Sequence, residues 1–111
     1  SFHCYGAPEH MKNCVAQLRR YGRPLLCTEY MSRGSGSTFD PILGYLKEQN
    51  VAAYNWGLVD GKTQTAYPWA TWQRPFTAKP ELWFHEIFWS DGRPFDAKEI
   101  EYIKSITGKE K

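Results

Sequence analysis

A chain of 111 residues is long enough for one domain with its own core, and 41% hydrophobic with 23% charged residues is a globular composition. The formal net charge of +2, without a cluster of Lys or Arg, argues against nucleic acid or an acidic membrane surface as a partner. No stretch approaches the roughly 20 apolar residues that a membrane-spanning helix needs, and no membrane partner is expected.

The first predicted unit is a strand followed by a helix. Residues 1–5 form a strand candidate in which His3 and Tyr5 lie on the same side. Pro8 suits the first position of a helix, and apolar residues then recur with helical spacing. Gly22 ends the helix and leads within two residues into the next strand. These short connections predict a right-handed, parallel β-α-β unit.

The second predicted strand, residues 24–30, has apolar side chains of the kind found in a strand covered on both faces. It ends at Glu29, and a carboxylate on an apolar strand is costly to bury unless it is paired or faces a wet cleft. Glu29 is therefore either a structural or solvent-facing acid, or a functional group. The second alternative gains weight because α/β barrels and open α/β sheets build their sites at this end of the strands.

The chain continues through a loop rich in Gly and Ser, at residues 31–37, into a second predicted helix. Asp40 and Pro41 suit the N-cap and first positions of that helix, and Asn50 suits the residue that follows it. The third predicted strand, residues 51–56, comes directly after Asn50. The order of elements thus far is β-α-β-α-β.

The last part of the chain begins with a connection, residues 58–79, that is too long for an ordinary link between strand and helix, and such loops are usually functional. Residues 80–88 are predicted to form a short helix with its aromatic side chains inward. Asp96, with Glu99 three residues later, predicts a capping box for a final helix near residues 97–106. Four glutamates are expected to be solvated charges on helix faces: Glu9, Glu48, Glu99 and Glu101.

The three cysteines, Cys4, Cys14 and Cys27, are odd in number and lie on predicted apolar faces. Their spacing matches neither a usual metal motif nor a CxxC motif, so buried free thiols are expected, with no metal and no cofactor. The cysteines therefore leave the cellular compartment undetermined.

The element order predicts an α/β fold in which residues 1–111 form one partial domain. A (β/α)8 barrel of about 250 residues uses roughly 31 for each unit, so this chain has the length of three units and one long loop. Three parallel strands cannot close a barrel, and both edges would be open to self-association. Because the chain enters a strand at once, we expect it to be part of a longer protein.

Three short motifs resemble strands six, seven and eight of the clan A retaining glycoside hydrolases, the (β/α)8 barrels of the cellulase, mannanase and xylanase type. They are His3-Cys4-Tyr5, Thr28-Glu29-Tyr30 and Asn55-Trp56-Gly57. Two later stretches are also similar to bacterial sequences of that kind: Pro80-Glu81-Leu82-Trp83-Phe84-His85 and Asp91-Gly92-Arg93-Pro94-Phe95. The resemblance spans the chain, and its specificity comes from the order and spacing of motifs that are weak individually.

The resemblance implies a role for each matching residue. Glu29 would be the catalytic nucleophile, Tyr5 would hydrogen-bond to it, His3 would line the sugar subsite, and Trp56 would form the platform under the reacting sugar. The acid/base residue of the family is a Glu that follows an Asn, and no Asn-Glu pair exists in this sequence. The resemblance thus implies half of a catalytic pair, in a barrel that is incomplete as it stands.

The long loop adds Lys62 and Gln64 as candidate ligands of sugar hydroxyl groups, although a loop Lys is usually only solvated. Two other functions stay open besides that of a glycosidase acting on plant-type polysaccharide or oligosaccharide. The chain could be a sugar-binding module without catalysis, or a barrel fragment that self-assembles through its strand edges. Only the resemblance favours a secreted or periplasmic location.

Overall fold

The computed structural model describes residues 1–108 and shows an α/β fold around one three-stranded parallel sheet. The strands lie side by side in chain order and are β1 (Phe2–His3), β2 (Leu26–Glu29) and β3 (Ala52–Ala53). Each strand lies inside the range expected from the sequence, and the parallel β-α-β-α-β order is confirmed. The strands are shorter than expected, since only two to four residues of each carry regular pairing.

Three α-helices accompany the sheet: α1 (Pro8–Arg19), α2 (Phe39–Glu48) and α3 (Ala97–Thr107). Pro8 opens α1 as predicted. Asp40 has an extended backbone, with φ −93° and ψ 121°, so the regular helical geometry of α2 begins after it, in agreement with its predicted N-cap position. No helix in residues 1–108 is long and apolar enough to cross a membrane.

The core lies between the sheet and α1 and α2. Its buried side chains are Cys4, Met11, Val15, Cys27, Tyr30, Met31, Phe39, Ile42, Leu46, Val51 and Ile87. The cysteines are free thiols as predicted, with Cys14 only half-buried. The expectation that both faces of the middle strand are covered was wrong, because Leu26 in β2 is 38% exposed. One face of β2 is therefore open.

Helix α3 packs against α2, where the Gly44 N–H donates to the Tyr102 hydroxyl at 3.0 Å. The side chains of Ile100, Ile103 and Ile106 are half-buried, so the prediction that α3 buries them holds only in part. Asp96 caps α3 as predicted, since its carboxylate accepts a hydrogen bond from the Lys98 N–H at 2.9 Å. The predicted capping box is not formed, because both carboxylate oxygens of Glu99 accept from Arg33 instead.

The short helix predicted for residues 80–88 is absent, and this prediction was wrong. Its apolar residues have helical spacing, but its backbone groups form hydrogen bonds with a different part of the chain. The N–H groups of Ile87 and Phe88 donate to the Leu58 carbonyl at 3.0 and 2.9 Å, and the Asp60 N–H donates to the Phe88 carbonyl at 2.8 Å. Pairing with the chain after β3 therefore replaces the hydrogen bonds of a local helix.

Glu99 is not the solvated charge that its helical position predicts. Its two carboxylate oxygens accept bonds of 2.7 Å from the guanidinium of Arg33, whose side chain is only 4% exposed. Arg33 also donates to the Trp83 carbonyl at 3.0 Å and lies 4.5 Å from the ring centroid of Phe95. Arg33 thus ties the loop at residues 31–37 to α3. Of the other three glutamates, Glu9, Glu48 and Glu101 are exposed as expected.

Candidate functional site

The carboxylate of Glu29 lies at the carboxyl end of β2, where both neighbouring partners come from the chain around β1. Its Oε2 accepts a hydrogen bond of 2.7 Å from the Tyr5 hydroxyl and lies 3.4 Å from His3 Nδ1. The Glu29 side chain is 21% exposed, and that of His3 is 56% exposed. The acid is therefore oriented by named partners while remaining open to solvent.

The register of the sheet explains this meeting. His3 is the partner of Glu29 in the parallel pairing of β1 and β2, and the Cys4 N–H donates to the Glu29 carbonyl at 2.9 Å. Tyr5 comes directly after this last ladder bond and turns its hydroxyl to the carboxylate. Two residues from one strand end thus flank an acid from the next.

Tyr5 is held as a hydrogen-bond donor. Burial, and then its hydrogen bond to Glu29, raise the pKa of the Tyr5 hydroxyl well above its usual value. The phenol therefore keeps its proton at neutral pH and donates it to the carboxylate as a charge-assisted hydrogen bond.

An aromatic group extends the site beyond Tyr5. The rings of Tyr5 and Trp69 meet edge to face at a centroid distance of 5.2 Å, and Trp69 Nε1–H donates to His85 Nε2 at 3.0 Å. His85 Nδ1 lies 2.8 Å from the Met31 carbonyl, which can only accept, so Nδ1 carries the proton and Nε2 is the acceptor. Burial lowers the pKa of His85, although the Met31 carbonyl opposes that shift. His85 is therefore neutral in this arrangement.

A cleft of about 570 Å³ borders this aromatic group, because Trp69 and His85 form part of its lining. Its lining includes Trp56, Gln64, Trp69, Trp72 and His85. The side chains of Trp56 and Trp72 are 50% and 80% exposed. Flat apolar surfaces that face water in a cleft of this size suit a ligand with apolar faces.

The structure brings most of the predicted site residues to one end of the sheet. His3, Tyr5 and Glu29 are in direct contact, and Trp56 and Gln64 line the neighbouring cleft. Lys62 is exposed and is not among the residues that line the cleft. Its loop position alone placed it among the candidates.

Three residues of the site were not identified from the sequence: Trp69, His85 and Glu86. Glu86 is fully buried, and its Oε1 accepts hydrogen bonds from Thr63 and Thr65 at 3.1 and 2.8 Å. It thereby fixes the long loop that forms one wall of the cleft. The helix wrongly predicted at residues 80–88 concealed the roles of His85 and Glu86, because their partners lie in distant parts of the chain.

A second concavity, of about 960 Å³, lies at the opposite end of the strands. It is larger, but its lining is mainly aliphatic, and two of its basic side chains are engaged: Arg19 donates to the Gln49 carbonyl and Lys47 to the Ile106 carbonyl. Titratable groups in mutual contact are a better guide to a site than volume. We therefore place the candidate site at the Glu29 end.

Comparison with known proteins identifies no matching family model, no similar curated protein and no similar solved structure. The chemistry of the site must therefore be inferred from its geometry. An ionised carboxylate with a fixed donor beside it can attack an electrophilic carbon, accept a proton or bind a cationic ligand.

Proposed function

We propose that the chain carries the nucleophile of a retaining β-glycosidase and forms three units of a (β/α)8 barrel of the clan A glycoside hydrolase type. The observation that carries this proposal is the hydrogen bond of 2.7 Å from the Tyr5 hydroxyl to Glu29, at the carboxyl ends of parallel strands. This is the pair that the sequence resemblance requires in those positions. The aromatic cleft beside it supports a sugar as the ligand.

In the proposed reaction, Glu29 attacks the anomeric carbon of a β-glycoside and forms a covalent glycosyl-enzyme. Tyr5 orients the attacking carboxylate, and Trp56 offers its indole face to the sugar ring and to the positive charge that develops on it. Water then hydrolyses the intermediate with overall retention of configuration.

Retention needs a second carboxyl group about 5–5.5 Å from the nucleophile, which first protonates the leaving oxygen and then activates the water. The side chains in polar contact with Glu29 are Tyr5 and His3, and the Asn-Glu motif of the family's acid/base residue does not occur in the sequence. The proposal therefore assigns the acid/base residue to a further barrel segment, which would pair with the sheet edges at β1 and β3.

The test is turnover of an aryl β-glycoside by the complete barrel that contains this chain, with the chain alone expected to be inactive. Glu29→Gln should lower kcat by several orders of magnitude, because it removes the attacking charge and keeps the shape. An activated fluorosugar should label Glu29. Glu48→Gln, at an exposed position on α2, is the matched control. Labelling at another carboxylate, or a nearly unchanged rate in Glu29→Gln, would refute the proposal.

A second candidate function, sugar binding without catalysis, is favoured by the exposed faces of Trp56 and Trp72. In that case oligosaccharides should bind the chain by itself in calorimetry. Trp56→Ala should then weaken binding by about 1–3 kcal/mol, whereas Tyr21→Ala, exposed outside the cleft, should not. Assembly through open strand edges without any ligand is the third possibility, and sedimentation at rising concentration detects it.

A further inference from the structure

Three side chains that commonly bind metal ions meet at the junction of β1 and α1. Cys4 Sγ lies 3.1 Å from Cys14 Sγ, and His10 Nε2 lies 3.9 Å from Cys14 Sγ. The three ligand atoms all lie within 4.8 Å of one another. None of these residues takes part in the proposed glycosidase site.

The fold explains a meeting that the sequence spacing does not reveal. His10 and Cys14 are four residues apart on α1, so they lie on the same face of the helix. Cys4 immediately follows β1, and the turn through Gly6 folds α1 back towards it. Gly6 has φ +145°, and a Cβ there would lie 3.2 Å from the His10 ring, so the turn approaches the imidazole closely.

We propose that Cys4, His10 and Cys14 form a binding site for Zn²⁺, with water as the fourth ligand. Two thiolates and one imidazole are a donor set that Zn²⁺ favours over harder cations. Zn–S bonds of about 2.3 Å and Zn–N bonds of about 2.0 Å place tetrahedral ligand atoms roughly 3.5–3.8 Å apart. The Sγ–Sγ distance of 3.1 Å and the Nε2–Sγ distance of 3.9 Å each lie within about 1 Å of that geometry.

Exposure provides a route into the site. Cys4 is buried, Cys14 is half-buried and His10 is exposed, so an ion can reach the cluster from the side of the imidazole. Burial, and then the contact with Cys14, raise the pKa of the Cys4 thiol to about 12. An incoming ion must therefore displace the Cys4 proton, as metal binding to thiols generally does. Cys27 is engaged elsewhere, because its Sγ lies 3.4 Å from the Glu29 carbonyl.

A disulfide is the competing use of two thiols at this distance. Joining Cys4 and Cys14 would release two protons and pass two electrons to an external oxidant such as another disulfide. That reaction leaves His10 without a role, whereas a metal site engages all three residues. The contribution of His10 therefore separates the two possibilities.

The experiment is titration of the reduced, oxygen-free chain with Co²⁺, followed by displacement with Zn²⁺. We expect one equivalent of Co²⁺ to give the charge-transfer absorption of thiolate ligation and the visible bands of a tetrahedral site. Zn²⁺ should abolish both, raise the thermal midpoint and protect Cys14 from maleimide. Cys14→Ser and Cys14→Ala should weaken binding at least tenfold, and His10→Gln about tenfold or more, with far-UV circular dichroism confirming that each variant is folded.

His3→Gln is the matched control, because His3 is an exposed histidine in β1 that does not belong to the cluster. This substitution should leave metal binding unchanged. Three results would overturn the site: no stoichiometric binding by the reduced chain, binding unaffected by Cys14→Ser, or binding unaffected by His10→Gln. A chain that binds no metal but loses two hydrogens in mass on oxidation, with Cys4 linked to Cys14, would identify a disulfide pair instead.

Discussion

Glu99 and Glu29 are both partly buried carboxylates with defined partners, but they use their two oxygens differently. Glu99 gives both oxygens to Arg33 at 2.7 Å, and the side chains are 15% and 4% exposed. Glu29 makes both of its side-chain contacts through Oε2, so within residues 1–108 its Oε1 has no protein partner. An acid neutralised on both oxygens by a buried guanidinium serves the fold. An acid with one oxygen uncommitted at a solvent-facing strand end is available for chemistry.

The largest loss of stability is expected from a substitution at Glu99. Glu99→Gln keeps the size of the side chain but leaves the Arg33 charge buried without its counterion, which should lower the free energy of unfolding by about 3–5 kcal/mol. Urea unfolding measures the loss. Glu101→Gln, exposed on the same helix, should change stability by less than about 0.5 kcal/mol. Equal effects of the two variants would show that the Arg33 pair contributes no more than a surface charge.

The surroundings of Arg33 can also be disturbed without touching a charge. A Cβ on Gly34 would overlap the Phe84 ring, so Gly34→Ala should force that ring aside and cost about 1–3 kcal/mol of unfolding free energy. Gly61→Ala is the matched control, because the nearest atom to a Cβ there is the Val59 carbonyl oxygen at 3.8 Å. If the thermal midpoint of Gly34→Ala matches that of Gly61→Ala, the loop at residues 31–37 does not pack closely against the Phe84 ring.

Near Glu29, the stability of the fold is expected to depend on pH through His85. Burial lowers the pKa of His85, so its neutral form stabilises the fold fully above an ordinary value of about 6.5. That contribution is lost as the pH falls through the lower folded-state pKa, because a protonated Nε2 would face the Trp69 N–H donor. The loss should be about 1 kcal/mol, the order of one hydrogen bond.

Denaturant unfolding at several pH values tests this expectation. Glu29, Arg33 and Glu86 are the ionisable groups that act on His85, and the His85→Gln variant retains all three. His85→Gln should remove the dependence between about pH 7 and 5, whereas His3→Gln should retain it. The same pH slope in the His85→Gln variant would assign the effect to other groups.

Apart from the control variants, Glu29→Gln is expected to change stability least. The amide oxygen still accepts from Tyr5, and the contact with the exposed His3 is weak, so the change should be under about 1 kcal/mol. The same unfolding measurement as for Glu99→Gln provides the direct comparison. A loss of several kcal/mol would mean that Glu29 is a structural acid, and the contrast between the two carboxylates would disappear.

Local patterns were sufficient to predict the sheet and its helices. Pro8, the Asp40–Pro41 pair and the Asp96 cap each mark a helix start through neighbours in sequence, and the structure has helices there. The meeting of His3, Tyr5 and Glu29 was predictable for a related reason, because parallel strands bring their carboxyl ends together.

What the sequence did not reveal depends on contacts between distant residues. Glu99 resembles any exposed helix charge until Arg33, 66 positions earlier, is placed beside it. The stretch at residues 80–88 has the spacing of a helix, but its hydrogen bonds go to the chain near Leu58. Trp69 and His85 come together only when that pairing forms, so no local pattern could have identified their hydrogen bond.

The 66-residue separation of Arg33 and Glu99 also bears on how the chain folds. Closing so long a loop carries a large entropic penalty before any contact across it is gained, so this pair should form after the transition state. Its loss would then appear almost entirely as faster unfolding, with the refolding rate nearly unchanged. The half-life of the native state would shorten by the same factor by which the unfolding rate rises. The buried ion pair would then slow unfolding without speeding folding.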